Sequence, residues 1–339
     1  MNDLSNQTED FSDIRDAVRS LCQGYPGEYW REKDRKREYP TEFVQALTDS
    51  GFLAVLIPEI YGGSELGIQE AAAILEEIHK SGCNGAACHA QMYIMGTLLR
   101  HGSEEQKKKY LPGIASGELR LQAFGVTEPG SGTDTTSIRT FAKREGDEYV
   151  VNGQKVWTSR AEHSDLMLLL ARTTPKDEVT KRTDGLSVFL VDLRKSLNHG
   201  VTIRPISTMI NHATTEVFID DLRIPAEQRI GEEGKGFRYI LDGMNAERIL
   251  IGAECIGDSR WFIQKASEYA KDRTVFQRPI GQNQGIQFPI AKAYAQSEAA
   301  DLMVRKAATL FDSGKPCGKE ANMAKLLAAD ASWEAADVC

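Results

Sequence analysis

Apolar positions recur along the chain at two spacings, and the change from one to the other divides it. Up to about Arg120 the period is helical. Ile68, Ala71, Ala72, Leu75 and Ile78 fall three or four apart, which puts them on one face of a helix after a break at Leu66-Gly67. A second helix is predicted from Ser103, a side-chain N-cap with Glu104 and Glu105 in the first turn, and its Lys107-Lys108-Lys109 run reads as a solvated face. From Leu121 the segments become short and β-rich. Residues 138–144, 148–151, 154–159, 166–171, 186–191, 201–206 and 216–219 read as strands, with Glu-Gly-Asp and Asn-Gly as hairpin turns. They predict a compact antiparallel β domain ending near Pro225. Helical spacing returns at Gly236 and persists through 288–312 and 319–338.

The pattern therefore predicts an α+β chain with an N-terminal helical domain (1–120), a middle antiparallel β domain (121–230) and a C-terminal helical domain (231–339). The last pattern is still periodic at Cys339, with no glycine, proline or cap behind it, so a truncated C-terminus and an incomplete third domain are expected. A length of 339 residues agrees with two or three domains. No apolar run is long enough to span a bilayer. The net charge of −8 argues against broad nucleic-acid binding, so any polyanionic ligand must be held by local groups. The polar N-terminus carries no signal or transit pattern, which makes cytoplasmic residence the expectation. Cys22, Cys83, Cys88, Cys255, Cys317 and Cys339 show no framework spacing and suit a reducing compartment. Among His79, Cys83, Cys88 and His89 the two thiols would lie about 140° apart on a continuous helix, and Gly82 and Gly85 interrupt it. These read as core and cap positions, and no metal site is expected.

Residues 124–134 read Phe-Gly-Val-Thr-Glu-Pro-Gly-Ser-Gly-Thr-Asp. Gly130 and Gly132 permit close backbone approach and positive φ, while Thr127 and Thr133 offer hydroxyls. The loop is either a dipolar cradle for a pyrophosphate or a heteroaromatic edge, or a plain Pro-Gly turn between elements. Trp157 follows the Asn-Gly turn. Strand alternation would place Ser159 on its side and Thr158 on the other, giving ring contact plus a hydroxyl, or simply a core tryptophan. On the helix from Gly236, Phe237, Ile240, Leu241, Met244, Ile251, Cys255 and Phe262 form one apolar arc, with Arg248 in its middle and Glu247 on its flank. The guanidinium there needs an anion. The pair is either an internal ion pair linking helices, or a desolvated carboxylate with a raised pKa suited to taking an α-proton. Arg273, Phe276 and Gln284 mark a helix end and a loop carrying an arginine.

Together with Ile-Pro-Glu-Ile-Tyr-Gly-Gly at 57–63 and Asp-Arg-Thr-Val-Phe-Gln at 272–277, the loop and the Asn-Gly-Gln-Lys-Val-Trp-Thr-Ser strand resemble the acyl-CoA dehydrogenase family. The likeness runs in order along essentially the whole chain. It implies an α–β–α subunit binding FAD between the β domain and the C-terminal helices. The implied reaction is α,β-dehydrogenation of an acyl-CoA thioester, with α-proton abstraction by a carboxylate and β-hydride transfer to flavin N5. Electrons would leave to an electron-transferring flavoprotein, in fatty acid or amino acid catabolism.

Carried over by position, the resemblance puts Phe124, Val126 and Thr127 at the flavin ring and Gly132 and Thr133 at the cofactor, with Thr133 also at the bound thioester. Trp157 would pack on the ring, Thr158 would belong to the cofactor set, and Ser159 would hydrogen-bond near N5. Arg273, Phe276 and Gln284 would reach the FAD of a neighbouring subunit in a homotetramer, a dimer of dimers. Gln91 and Met95 would line the acyl end, and Asn245 and Arg248 the substrate side. Most members carry the base on a C-terminal segment beyond this chain; a minority, including isovaleryl- and long-chain-like members, place it before the helix arginine. Glu247 holds that position and is the expected base. Ile210 and His212 depart from the glycine and arginine usual in that loop. Two other readings remain: a same-fold flavin oxidase, nitroalkane oxidase or monooxygenase that uses oxygen, and a non-catalytic FAD- or acyl-CoA-binding scaffold.

Overall fold

Residues 11–339 are described by a computed structural model, in which the chain runs α1 (Ser12–Cys22), α2 (Gly27–Lys36), α3 (Thr41–Asp49), α4 (Ile68–Lys80), α5 (His89–His101) and α6 (Glu104–Ser116) before its strands. These are β1 (Leu121–Gly125), β2 (Phe141–Glu145), β3 (Glu148–Ser159), β4 (Leu166–Arg172) and β5 (Leu186–Asp192), then the single turn α7 (Leu193–Ser196), β6 (Val201–Pro205), β7 (Thr214–Pro225) and β8 (Arg229–Ile230). Helix α8 (Gly236–Asp272), a small hairpin of β9 (Thr274–Val275) and β10 (Arg278–Pro279), α9 (Gln284–Asp312) and α10 (Gly318–Val338) complete the chain. Two compact units form, one from residues up to 27, 67–84 and 249–339, the other from 28–66 and 85–248. Among the described residues no helix is long and apolar enough to cross a membrane.

In the first unit, α4 buries Ala71, Ile74, Leu75 and Ile78, as its spacing predicts. Its free N-terminal N–H groups find acceptors from two directions. Glu70 accepts from Gly67 at 2.9 Å, and the Asp312 carboxylate accepts from Ile68 at 2.8 Å and Gln69 at 3.1 Å. A Cβ on Gly67 would come within 2.7 Å of the Asp312 carboxylate, so a side chain there would push the capping group aside. Arg15 and Arg19 of α1 pair with Glu76 and Glu77 at 2.8 Å each, and Arg260 joins Glu76, Glu298 and Asp301. The apolar arc expected on α8 is not its sealed face. Of the predicted arc only Ile240 is buried; Phe237, Met244, Ile251, Cys255 and Phe262 are half-buried and Leu241 is exposed, while the other large buried apolar side chains are Ile249, Leu250 and Ile256. The helix is apolar on more than one side, so the wheel alone has no unique inward direction.

In the second unit Ser103 caps α6 as expected: its Oγ accepts from Gln106 N–H at 3.2 Å, and Gln106 Oε1 accepts from Ser103 N–H at 2.9 Å. The strands form an eight-stranded sheet ordered β6-β7-β3-β2-β4-β5-β8, with β1 alongside β4. Pairing is antiparallel apart from β1 with β4 and a single β2–β4 contact. Tyr149, Met167, Leu169, Phe189, Val217 and Leu222 are among the side chains of its core. The Gly146 turn between β2 and β3 is a hairpin, with Gly146 at φ 64°. The Asn152-Gly153 turn predicted as a second hairpin does not form. Residues 148–159 are one continuous strand, and Gly153 lies at a register shift where a Cβ would meet Thr140 Oγ1 at 2.4 Å. Close backbone approach, not chain reversal, accounts for that glycine.

Candidate functional site

The loop after β1 is held rigidly at both ends. At its start Glu128 and Ser131 exchange backbone hydrogen bonds at 3.0 Å each. The Glu128 carboxylate turns inward and accepts from the N–H groups of Arg139 at 2.6 Å and Thr140 at 2.9 Å, and from Lys155 Nζ at 2.8 Å. Lys155 also donates to Val126 O at 3.1 Å. Desolvation works against both charges. It drives the Lys155 ammonium down to about 8 despite the carboxylate beside it, whereas Glu128 is kept below its ordinary range by Lys155 and its hydrogen bonds. At the far end, Asp134 accepts from Ser137 Oγ at 2.5 Å, Thr136 Oγ1 at 2.6 Å and Arg182 at 2.7 Å. Those hydroxyls, with Arg182 and Lys176 nearby, hold its carboxyl down at about 2.

Gly130 and Gly132 do not adopt the positive φ that the sequence suggested, and a Cβ on either would meet nothing within 4 Å. The Glu128–Ser131 turn closes without a left-handed residue, so the fold has no steric need of glycine at 130 or 132. Backbone there is exposed, as is Thr133, while Thr127 and Phe124 are half-buried and Val126 is buried.

The loop is tied to β3 where that strand bulges. Lys155 opposes Val217 and Thr158 opposes Thr215, so Val156 and Trp157 together face Glu216. Val156 N–H leaves the ladder and donates to Thr127 O at 2.9 Å. Trp157 takes a left-handed conformation, φ 62°, and its indole is 58 % exposed. The simple alternation expected for Trp157, Thr158 and Ser159 therefore fails, because the extra residue re-aims the indole outward. A core tryptophan is excluded. Thr158 Oγ1 is buried without a partner, and Ser159 Oγ accepts from Asn211 Nδ2 at 3.1 Å. The unusual Ile210 in that loop is exposed, and His212 pairs with Asp34 at 2.8 Å.

A second group of predicted residues lies on α5 and the start of α8. Gln91 and Met95 are fully buried, and both amide atoms of Gln91 lack partners. Arg248 donates to Asn245 Oδ1 at 3.3 Å and makes no ion pair among the described residues, so no helix-linking salt bridge to it is found there. Glu247 is partly buried. Desolvation pushes its carboxyl above the usual carboxylate range, against the opposing pull of His89, Arg248 and Arg160. Side chains from α5, the end of β3 and the start of α8 thus act on one carboxyl. Such a group can take a proton from a weakly acidic carbon beside it.

Arg273, Phe276 and Gln284 belong to the other unit, at the end of α8, in the β9–β10 turn and at the start of α9. Phe276 has φ 51° and is 95 % exposed. Cys83 donates to Cys22 O and Tyr25 O, Cys88 to Gly85 O, and both are buried. Among the described residues no group of three His, Cys, Asp or Glu could hold a metal. Sequence reasoning missed Glu128, Lys155, Asp134 and Arg160, because isolated charges far apart in a chain carry no pairing signal.

Comparison with known proteins agrees with the order of these segments. Family models describing the acyl-CoA dehydrogenase N-terminal, middle and C-terminal domains match residues 8–118, 123–222 and 234–339. The acyl-CoA dehydrogenase FadE12 of Mycobacterium tuberculosis is 35% identical over 336 residues, covering 98% of this chain and 85% of the relative. A chain solved in work on the electron transferring flavoprotein of Acidaminococcus fermentans superposes with a TM-score of 0.90 at 30% identity, covering 98% of this chain and 87% of that one. Butyryl-CoA dehydrogenase from Megasphaera elsdenii gives 0.89 at 28%, covering 98% and 88%. With all three domain models in sequence and a 35% identical relative that matches 98% of it, this chain belongs to the acyl-CoA dehydrogenase family of oxidoreductases.

Proposed function

We propose that the chain performs FAD-dependent α,β-dehydrogenation of an acyl-CoA thioester to the trans-2-enoyl-CoA, with Glu247 as the base. The observation that carries this reading is the Glu247 carboxyl itself, raised by desolvation yet flanked by Arg248, Arg160 and His89. An α-proton beside a thioester carbonyl is only weakly acidic, so a carboxylate made more basic by burial narrows the gap to be crossed. Arg248 and Asn245 would hold the substrate side, and Gln91 and Met95 the acyl end.

The residues around the bulge fit FAD: an outward indole at Trp157, a buried unpaired hydroxyl at Thr158, and open backbone at Gly130 and Gly132. Phe124, Val126 and Trp157 would pack on its ring, with Thr127, Thr133, Thr158 and Ser159 as hydrogen-bonding groups and Gly132 allowing close approach. FAD, when bound, supplies the two-electron acceptor for the β-hydride. Arg273, Phe276 and Gln284 would complete the site of a neighbouring subunit in a homotetramer. An electron-transferring flavoprotein as acceptor is supported by the likeness to the chain solved in the Acidaminococcus fermentans work.

The test is anaerobic mixing of the flavin-loaded protein with straight, branched, aromatic and dicarboxylic acyl-CoAs. Bleaching of the oxidised-flavin band by at least one thioester is expected. No bleaching with any of them would sink the reading, and rapid peroxide formation in air without an added acceptor would replace it with an oxidase.

A further inference from the structure

Arg160 follows β3 in a left-handed conformation, φ 60°, and is only 5 % exposed. Its backbone is fixed: the N–H donates to Ala213 O at 2.6 Å, and its carbonyl accepts from His163 N–H at 3.0 Å and Ser164 Oγ at 2.8 Å. On the side chain, Nη1 donates to Ala86 O just before α5. Buried Nε has no acceptor, Nη2 makes no hydrogen bond, and no carboxylate lies within 4.0 Å of the guanidinium among the described residues.

Arg248 is half-buried and donates to an amide oxygen, and among the described residues no carboxylate pairs with its charge either. Around Glu247, then, two guanidinium groups share one carboxyl, which leaves at least one positive charge in excess even when Glu247 is ionised. Buried donors and buried charges are nearly always satisfied in native proteins, so this imbalance points to a missing anionic partner. Two further facts shape that partner. The free Nε–Nη2 edge of a guanidinium matches the two oxygens of a carboxylate. Gln91, on the helix that follows Ala86, keeps both a donor and an acceptor unpaired in full burial.

Resting on the dehydrogenase reading above, we propose that the acyl group of the substrate ends in a carboxylate, received by the Nε–Nη2 edge of Arg160, with the Gln91 amide as a second polar contact. Arg160 is then the residue that sets specificity for ω-carboxylated over plain acyl chains. The thioesters to compare differ only at that end, so the coenzyme A phosphates cancel.

Anaerobic flavin reduction is measured with pentanoyl-CoA against glutaryl-CoA and hexanoyl-CoA against adipoyl-CoA, in the full chain and in Arg160→Gln and Arg160→Lys. In at least one pair the wild type should favour the dicarboxylic member by tenfold or more in kcat/KM. Arg160→Gln should bring that ratio near one, and Arg160→Lys should keep part of it. A wild-type ratio at or below one in both pairs, or a preference that survives in Arg160→Gln, overturns the inference. If Arg160→Gln does not fold, the wild-type ratios and Arg160→Lys decide alone. Bleaching without preference overturns this inference only, whereas no bleaching with either member of both pairs overturns the dehydrogenase reading and this one with it.

Discussion

Lys155 Nζ lies 2.8 Å from Glu128 Oε1 with both side chains buried, and this contact joins the loop after β1 to the strand that carries Trp157. Removing one partner strands the other in the interior. Lys155→Met should therefore destabilise the protein by roughly 3–5 kcal/mol, the cost of an uncompensated buried charge. Urea unfolding of the apoprotein measures it. A loss under about 1 kcal/mol would mean that Glu128 is satisfied by its backbone donors alone.

Glu247→Gln should slow flavin reduction by acyl-CoA by a factor of about a hundred or more, the usual contribution of a positioned base. A rate within about tenfold of wild type, roughly 1.4 kcal/mol of barrier, means the base lies elsewhere. The same carboxyl fixes a pH dependence. Only its ionised form can accept the proton, and its pKa is raised from 4.5, so the acid limb of kcat/KM should lie above the ordinary carboxylate range. Arg248→Gln removes an opposing cation and should move that limb higher still; a downward move would contradict the charge arrangement.

Gly130→Ala and Gly132→Ala separate fold from ligand. Neither site has positive φ or a crowded Cβ position, so each alanine should leave the apoprotein unchanged or stabilise it by about 0.4–1 kcal/mol. A ligand that approaches the backbone there should nonetheless bind more weakly. Thermal melting together with FAD titration reads both. Unchanged FAD affinity in both variants would remove the cradle.

Trp157→Gly should relieve a left-handed backbone that costs a non-glycine residue about 1–2 kcal/mol, and little packing is lost because the indole is largely exposed. The apoprotein is expected to gain about 1 kcal/mol while FAD affinity falls at least tenfold. A variant that is both less stable and equally avid would show that the indole serves the fold instead.

Asp134→Asn tests the far anchor of the loop through acid unfolding. The folded pKa of Asp134 is about 2 against an ordinary 3.8, a depressed value. Its contribution is present above the unfolded value and is lost as pH falls through the folded one. Wild type should be the more stable protein at neutral pH, and its lead over the variant should shrink between those two values. A constant lead across that range would assign the effect to shape instead of charge.

Helix identity and the alternation of helical and strand-rich segments were legible because period and capping are local. Ser103 with Gln106 is an example, since both partners of that cap lie within one turn. Features made by distant neighbours were not. The Asn152-Gly153 pair looks like a hairpin turn until Thr140 is known to press against it. Trp157 looks like an ordinary alternating strand residue until β7 supplies one residue fewer than β3. Arg160 drew no attention, because its exceptional property is the absence of an acceptor around buried Nε, which only three-dimensional packing reveals.

The cap on α4 carries a consequence for the order of assembly. The carboxylate that accepts from Ile68 and Gln69 comes from Asp312, so the first two donors of that helix wait for a single residue 244 and 243 positions later. The same holds for the whole helical unit, whose three segments are separated by most of the chain. During synthesis from the N-terminus, the sheet-containing unit has all its residues by 248 and can close first, and α1 can already pair with α4 through Arg15 and Arg19, while the α4 cap waits for Asp312 at the end of α9.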